Sequence, residues 1–166
     1  MRPLRIQPVD FTQTQDTTDF LFLLDHYMQG PTGNGQPLSP ALAERLRHEL
    51  PRRPTVLSFL AYQNDAHGAA RPVGLINCVE GFSTFTGQPL LNVHDIVVLE
   101  SCRRQGIAGA LLAHVESVAR DRGCCKLTLE VLEDNQGARQ AYENFGFAAY
   151  QLDPAMGRAL FMEKKL

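Results

Sequence analysis

Apolar and polar residues alternate along "LRIQPVDF" (residues 4–11), the two-residue period of a half-buried strand. The period then lengthens. In "DTTDFLFLLDHYMQ" (16–29), Phe20, Leu23, Leu24 and Tyr27 fall on one side of a helix that Asp16 or Thr17 would cap. "GPTGNGQP" ends it with glycine and proline. Ser39-Pro40 then predicts a second start, a capping hydroxyl followed by proline at the first helical position, for "ALAERLRHEL" (41–50) up to Pro51.

Alternation returns in "TVLSFLAYQ" (55–63) and "RPVGLINCVEGFS" (71–83), two strands joined by a hairpin loop through "NDAHGAA". "PLLNVHDIVVL" (89–99) becomes continuously apolar toward its end, which predicts a central strand. A helix follows to about Arg122, with Gly123 as its stop. "CCKLTLEVL" (124–132) reads as a strand. "NQGARQAYENF" (135–145) reads as a short helix ended by Gly146, and "FAAYQL" (147–152) and "GRALFMEKKL" (157–166) as a closing strand pair. The early strands pattern as antiparallel, while strand–helix–strand over 90–132 predicts a right-handed parallel crossover. The expectation is one mixed, mostly antiparallel α/β sheet of about six to seven strands, flanked by about four helices, in a single domain spanning 1–166.

Composition narrows the function classes. The 166 residues carry 16 Lys and Arg against 18 Asp and Glu, so no basic excess points to nucleic acid. No apolar run is long enough to span a membrane, and "MRPLRIQPVDF" lacks the apolar core of a signal peptide. The four cysteines include the adjacent Cys124 and Cys125 but no CxxC pair, which argues against zinc or a disulfide framework. These features predict a cytoplasmic protein without a metal.

The chemistry begins at "ESCRRQGIAGALLAHVESVAR" (100–120). Glycine is a poor helix former, yet Gly106 and Gly109 stand where this helix opens. A helix start has unpaired N–H groups and the positive end of the helix dipole, and small residues let an anion reach them. Arg103 and Arg104 add charge just before. A phosphate or pyrophosphate ligand fits this pattern, as does close packing of the helix on the sheet.

Arg103-x-x-Gly106-x-Ala108 resembles the Gln/Arg-x-x-Gly-x-Gly/Ala motif of the GNAT superfamily of N-acetyltransferases. "LTLEVLEDNQGARQAYENFGF" resembles the same superfamily's strand, Asn and Tyr-x-x-x-Gly-Phe segment. The resemblance covers residues 92 to 147. It implies a GNAT fold and transfer of the acetyl group of acetyl-CoA to a primary amine of a small molecule or protein. It also implies that the backbones of Arg103, Arg104, Gln105, Gly106, Ile107, Ala108 and Gly109 hold the diphosphate. Ile96, Val97 and Val98 would then hold the pantetheine arm, with Asn135 and Tyr142 completing the cofactor contacts. Ala108 replaces the motif's second glycine, which the pattern allows. A non-catalytic acyl-CoA-binding regulatory domain is the competing reading.

Acetyl transfer needs a held thioester, a neutral amine and a proton for the departing thiolate. A free alkyl amine titrates near ~10, so a base is required at neutral pH. Asp95, in "HDIVV", and Glu130, in "LTLEV", are the candidates, and each is also explicable as a structural carboxylate. Asn92 stands where histone-type members carry a catalytic Glu and cannot take the proton. His94 is a lesser candidate. Tyr142 is the candidate acid, since a phenol with an ordinary pKa near ~10 suits donation to a thiolate. Arg139 is a candidate phosphate contact. For the acceptor, Asp25, His26, Tyr27, Glu80, Phe82 and Phe85 lie in the segments that line it in this family, with Tyr27, Phe82 and Phe85 preferred. The residues do not name the amine. "GRALFMEKK" is a candidate edge for a homodimer.

Overall fold

The computed structural model describes residues 3–150, 155 and 160–165. The chain divides into two compact units, Met1–Leu132 and Glu133–Leu166.

The first unit holds a five-stranded sheet in the order β1-β2-β3-β4-β5. The strands are β1 (Leu4–Pro8), β2 (Val56–Asn64), β3 (Ala70–Ser83), β4 (Gln88–Val98) and β5 (Leu127–Leu129). The first four pair antiparallel in chain order, and β5 joins β4 in parallel after the crossover through α3 (Ile107–Asp121). Helices α1 (Thr14–Gln29) and α2 (Pro40–Glu49) intervene between β1 and β2. The mixed, mostly antiparallel sheet is therefore present. Five strands stand among the described residues, fewer than expected, and "CCKLTLEVL" contributes only three residues of strand. Residues 147–150 and 160–165 of the expected closing pair carry no strand, and the rest of that pair lies outside the described residues, as does part of the candidate dimer edge. Alternation marks a strand only where a neighbour takes up its hydrogen bonds.

Local punctuation explains most boundaries. The Ser39 hydroxyl accepts from the Leu42 N–H, with Pro40 beside it. Helix α2 closes at Glu49, just short of its expected end, and the chain continues through Pro51 as a 3₁₀ turn, Leu50–Arg52. Helix α1 starts earlier than the Asp16 or Thr17 cap predicted. Its N-cap is Gln13, without a side-chain cap bond. Asp10 instead organises the approach, accepting from the backbone and hydroxyl of Thr12, while Asp16 accepts from the Asp10 N–H.

The sheet is covered on both faces. Adjacent strand residues point to opposite sides. Leu60, Tyr62, Leu75 and Val97 join Phe20, Leu21, Leu23 and Leu50 in one buried cluster under α1. Gly74, next to Leu75, faces the other way. A Cβ there would stand 3.2 Å from both Ile107 Cγ2 and Leu111 Cδ1 and 3.3 Å from the Val97 carbonyl oxygen. The start of α3 thus rests directly on the backbone of β3. Ile107, Leu111, Leu112, Val115 and Ala119 form its buried stripe. Beneath α1, the buried Asp19 carboxylate accepts from Tyr62 Oη at 2.8 Å and from Gln15 Nε2 at 2.9 Å, so its burial is compensated.

The second unit contains α4 (Gln136–Phe145), which starts at Asn135 and stops at Gly146 (φ 108°). Among the described residues no helix is long and apolar enough to cross a membrane, and no group of three metal-ligating side chains gathers.

Candidate active site

The site forms where β4 loses a neighbour. Strand β5 pairs only with Leu91, Asn92 and Val93. From His94 to Val98 no strand among the described residues lies along that edge of β4. Backbone donors and acceptors there can take an added extended chain, as exposed strand edges do.

A bulge sits at the same point. Asn77 pairs with Asp95, whereas Cys78 pairs with Val93, which leaves His94 as the extra residue. Paired residues share a face. Asn92, opposite Val79, and Asp95, opposite Asn77, therefore both lie on the α1 side of the sheet. In a regular strand, residues three apart would face opposite ways. Thr128, opposite Asn92, lies on this side too. Asn92 Nδ2 donates to Thr128 Oγ1 at 3.1 Å and reaches both carboxylate oxygens of the exposed Glu130 at 3.5 Å. The structure thus brings both candidate bases to one face beside the open edge, Asp95 half-buried and Glu130 in solvent.

Asp95 is held more firmly. Asn77 Nδ2 donates to Asp95 Oδ2 at 3.1 Å, and the buried Ser58 hydroxyl donates to Asn77 Oδ1 at 2.6 Å. Sequence reasoning missed Asn77 and Ser58, because only the strand register aligns them with Asp95. Tyr27 reaches the same neighbourhood from α1. Burial, and then the Asp95 charge, raises its phenol above 10.0, so it remains a hydrogen-bond donor through the physiological range. His94 is exposed at the bulge.

Past Val98, the chain makes a short 3₁₀ turn, Glu100–Cys102, and enters the glycine loop. Arg104 (φ 61°) and Gly106 (φ 78°) both adopt left-handed backbone, and Gly106 is the N-cap of α3. A glycine carries no capping side chain. The first N–H groups of the helix, at Ile107, Ala108 and Gly109, point out of its mouth with no side-chain cap on them. A Cβ at Gly106 or Gly109 would meet nothing within 4 Å. Neither glycine serves packing; Gly74, on β3, does that. Arg103 donates weakly to the Val98 carbonyl at 3.4 Å and pairs with Glu100 at 3.4 Å, tying the loop to the end of β4. Gln105 Nε2 bonds the Ser101 carbonyl at 3.5 Å. This mouth suits an anion, with Arg103 and Arg104 exposed at its rim.

The other acceptor candidates disperse. Asp25 is a loop clip, accepting from the Leu38 N–H at 2.7 Å and from Gln29 Nε2 at 2.8 Å. Glu80 pairs with Arg122 Nε at 2.6 Å and, opposite Leu91, faces the α3 side. His26 is half-buried on α1. Phe82 is 64% exposed near the β3–β4 turn and Phe85 fully exposed within it.

In the second unit, the Asn135 side-chain carbonyl accepts from the Ala138 N–H at 3.3 Å and so sets the start of α4. The half-buried Tyr142 ring meets Phe147 edge-on, with centroids 6.0 Å apart. Arg139 donates to the Glu133 carbonyl at 3.1 Å and lies 3.7 Å from Glu143.

With this geometry in hand, the comparisons with known proteins are specific. A model described as acetyltransferase (GNAT) family matches residues 21–147. The chain is 41% identical over 66 residues to streptothricin acetyltransferase of Streptomyces lavendulae, covering 40% of this chain and 35% of that one. It is 29% identical over 105 residues to thialysine N-epsilon-acetyltransferase of Caenorhabditis elegans, covering 63% and 61% respectively. The chain thus spans less than two thirds of either relative. Among solved structures, AAC(6')-Iy in complex with the bisubstrate analogue CoA-S-monomethyl-acetylneamine shares the fold. That likeness has a TM-score of 0.73 at 18% identity and covers 99% of each chain.

Proposed function

Because this chain belongs to the acetyltransferase (GNAT) family, we propose that it is an N-acetyltransferase moving the acetyl group of acetyl-CoA directly to a primary amine. One observation carries the reading: the open edge of β4 leads straight into the uncapped mouth of α3. The two halves of that feature match the two ends of a CoA arm. The peptide-like amides of pantetheine suit the backbone of Ile96, Val97 and Val98. The diphosphate suits the N–H groups and small residues from Arg103 through Gly109. Acetyl-CoA, when bound, supplies an activated acyl group and a thiolate leaving group. The whole chain, 1–166, is proposed to act as one acetyltransferase domain.

The residues then have distinct work. A backbone N–H of the open β4 edge polarises the acyl carbonyl, as an oxyanion hole does. Asp95 is the proposed base, acting directly or through a water. Its support over Glu130 is its firm tether, its partial burial and its place within the open edge, directly before Ile96. Glu130, more exposed, suits the approach of a protonated amine. Tyr27 is the proposed acceptor contact. The role of Phe82 and Phe85 rests on their exposed aromatic rings near the β3–β4 turn. Tyr142 is the proposed proton donor to the thiolate, and Asn135 the proposed partner of the cofactor arm, both by their match to the family's segment. The acceptor amine belongs to a small molecule or a protein. No observation favours the non-catalytic reading.

Thiol release from acetyl-CoA in the presence of amines tests the activity. Profiles of kcat/KM against pH for Asp95→Asn and Glu130→Gln test the base. The variant that loses the acidic limb carries it, and a limb surviving in Asp95→Asn would remove Asp95.

A further inference from the structure

Two polar side chains under α1 stand where packing asks for aliphatic ones. Ser58 shares its face of β2 with Leu60, and Asn77 shares its face of β3 with Leu75, both 0% exposed. Ser58 is itself 4% exposed. The register places Ser58 opposite Asn77 and Asn77 opposite Asp95, so the three side chains line up across β2, β3 and β4. The bulge at His94 keeps the third in line while shifting the rest of β4.

The direction of this row follows from its last member. An ionised carboxylate only accepts hydrogen bonds, so the Asn77 amide must turn its Nδ2 toward Asp95. Its Oδ1 then faces Ser58, whose hydroxyl is the matching donor at 2.6 Å. A neutral carboxyl would still accept through its carbonyl oxygen, but the amide N–H bonds the charged carboxylate more strongly. The other groups around Asp95 are Tyr27 on α1, Cys78 on β3, its chain neighbour His94, and, on the same face, Asn92 and Glu130.

We propose that Asn77, held in one orientation by Ser58, is a positioning residue that aims the Asp95 carboxylate for proton abstraction. This rests on the reading of Asp95 as the base. Asn77 touches neither the amine nor the thioester; it acts through Asp95.

The test compares Asn77→Leu, Asn77→Asp, Ser58→Ala and Asp95→Asn in the full chain. The readouts are the pH profile of kcat/KM and the ¹³C carboxyl titration of Asp95. Asn77→Leu removes the donor, so both midpoints should rise while KM for acetyl-CoA stays level. Asn77→Asp sets a like charge against Asp95, so its midpoints should rise further. An Asn77→Leu midpoint unchanged from wild type, with the limb abolished in Asp95→Asn, overturns the role of Asn77 and leaves the base intact. A limb surviving in Asp95→Asn overturns the base itself. Should Asn77→Leu fail to fold, Ser58→Ala decides: a smaller upward movement supports the row, and none overturns it.

Discussion

Gly106 lets two causes of failure be separated. Its φ of 78° lies where an L side chain crowds the following carbonyl, so Gly106→Ala should cost about 1–2 kcal/mol of stability. No packing penalty adds to this, because the new Cβ meets nothing within 4 Å. For a chain of this size that is a fall in Tm of roughly 2–8 °C. Asn tolerates left-handed backbone better, so Gly106→Asn should lose less. Binding follows a different order. Any side chain here stands at the mouth of α3, and Gly106→Glu adds a negative charge to it. Losing one charge-assisted bond to a phosphate costs about 1.5–3 kcal/mol, a rise in Kd of roughly 10- to 150-fold. Calorimetric titration with acetyl-CoA, beside thermal unfolding, reads both. The expected pattern is stability falling from Asn to Ala but affinity falling most for Glu. A folded Gly106→Glu protein with unchanged affinity would refute the phosphate cradle.

Three further outcomes follow from the same geometry. Gly74→Ala should destabilise by about 1–3 kcal/mol in urea titration, since its Cβ would press on Ile107, Leu111 and the Val97 carbonyl; an unchanged midpoint would show that α3 yields freely. Tyr142→Phe should lower kcat by about 10²–10⁴ with little change in acetyl-CoA affinity, and an unaltered rate at every pH would remove the acid role. Burial, then the Asp95 charge, pushes Cys78 from 9.0 up to about 12, so the folded state keeps a proton that the unfolded state loses. Its contribution, complete below pH 9.0, should therefore fade as pH rises toward about 12. Denaturant titrations across that range should show a shallower loss in Cys78→Ala, and identical slopes would contradict it.

The contrast between legible and hidden features is physical. Ser39-Pro40, Asn135, Gly123 and Gly146 mark helix ends through local chemistry, and the structure places helix boundaries at or beside all four. The pairing directions, antiparallel among the early strands and parallel across the crossover, followed from periodicity and crossover rules. Register did not. The extra residue at His94 leaves no mark in "NVHDIVV", yet it turns Asp95 to the face that Asn92 shares. Asn77 looks like any polar strand residue until β4 is laid beside it. Asp25 and Glu80 looked available because their partners, the Leu38 N–H and Arg122, are 13 and 42 residues away. The expected closing strands depended on pairing that alternation alone cannot supply.

The central claim is acetyl transfer at the junction of β4 and α3. Its most direct test is thiol release from acetyl-CoA by the purified protein, against polyamines, aminoglycosides, amino acids and short peptides, with Asp95→Asn in parallel. The account predicts release that depends on one class of primary amine and collapses in the variant. Equal release with and without every amine, or no binding of acetyl-CoA at all, would contradict it.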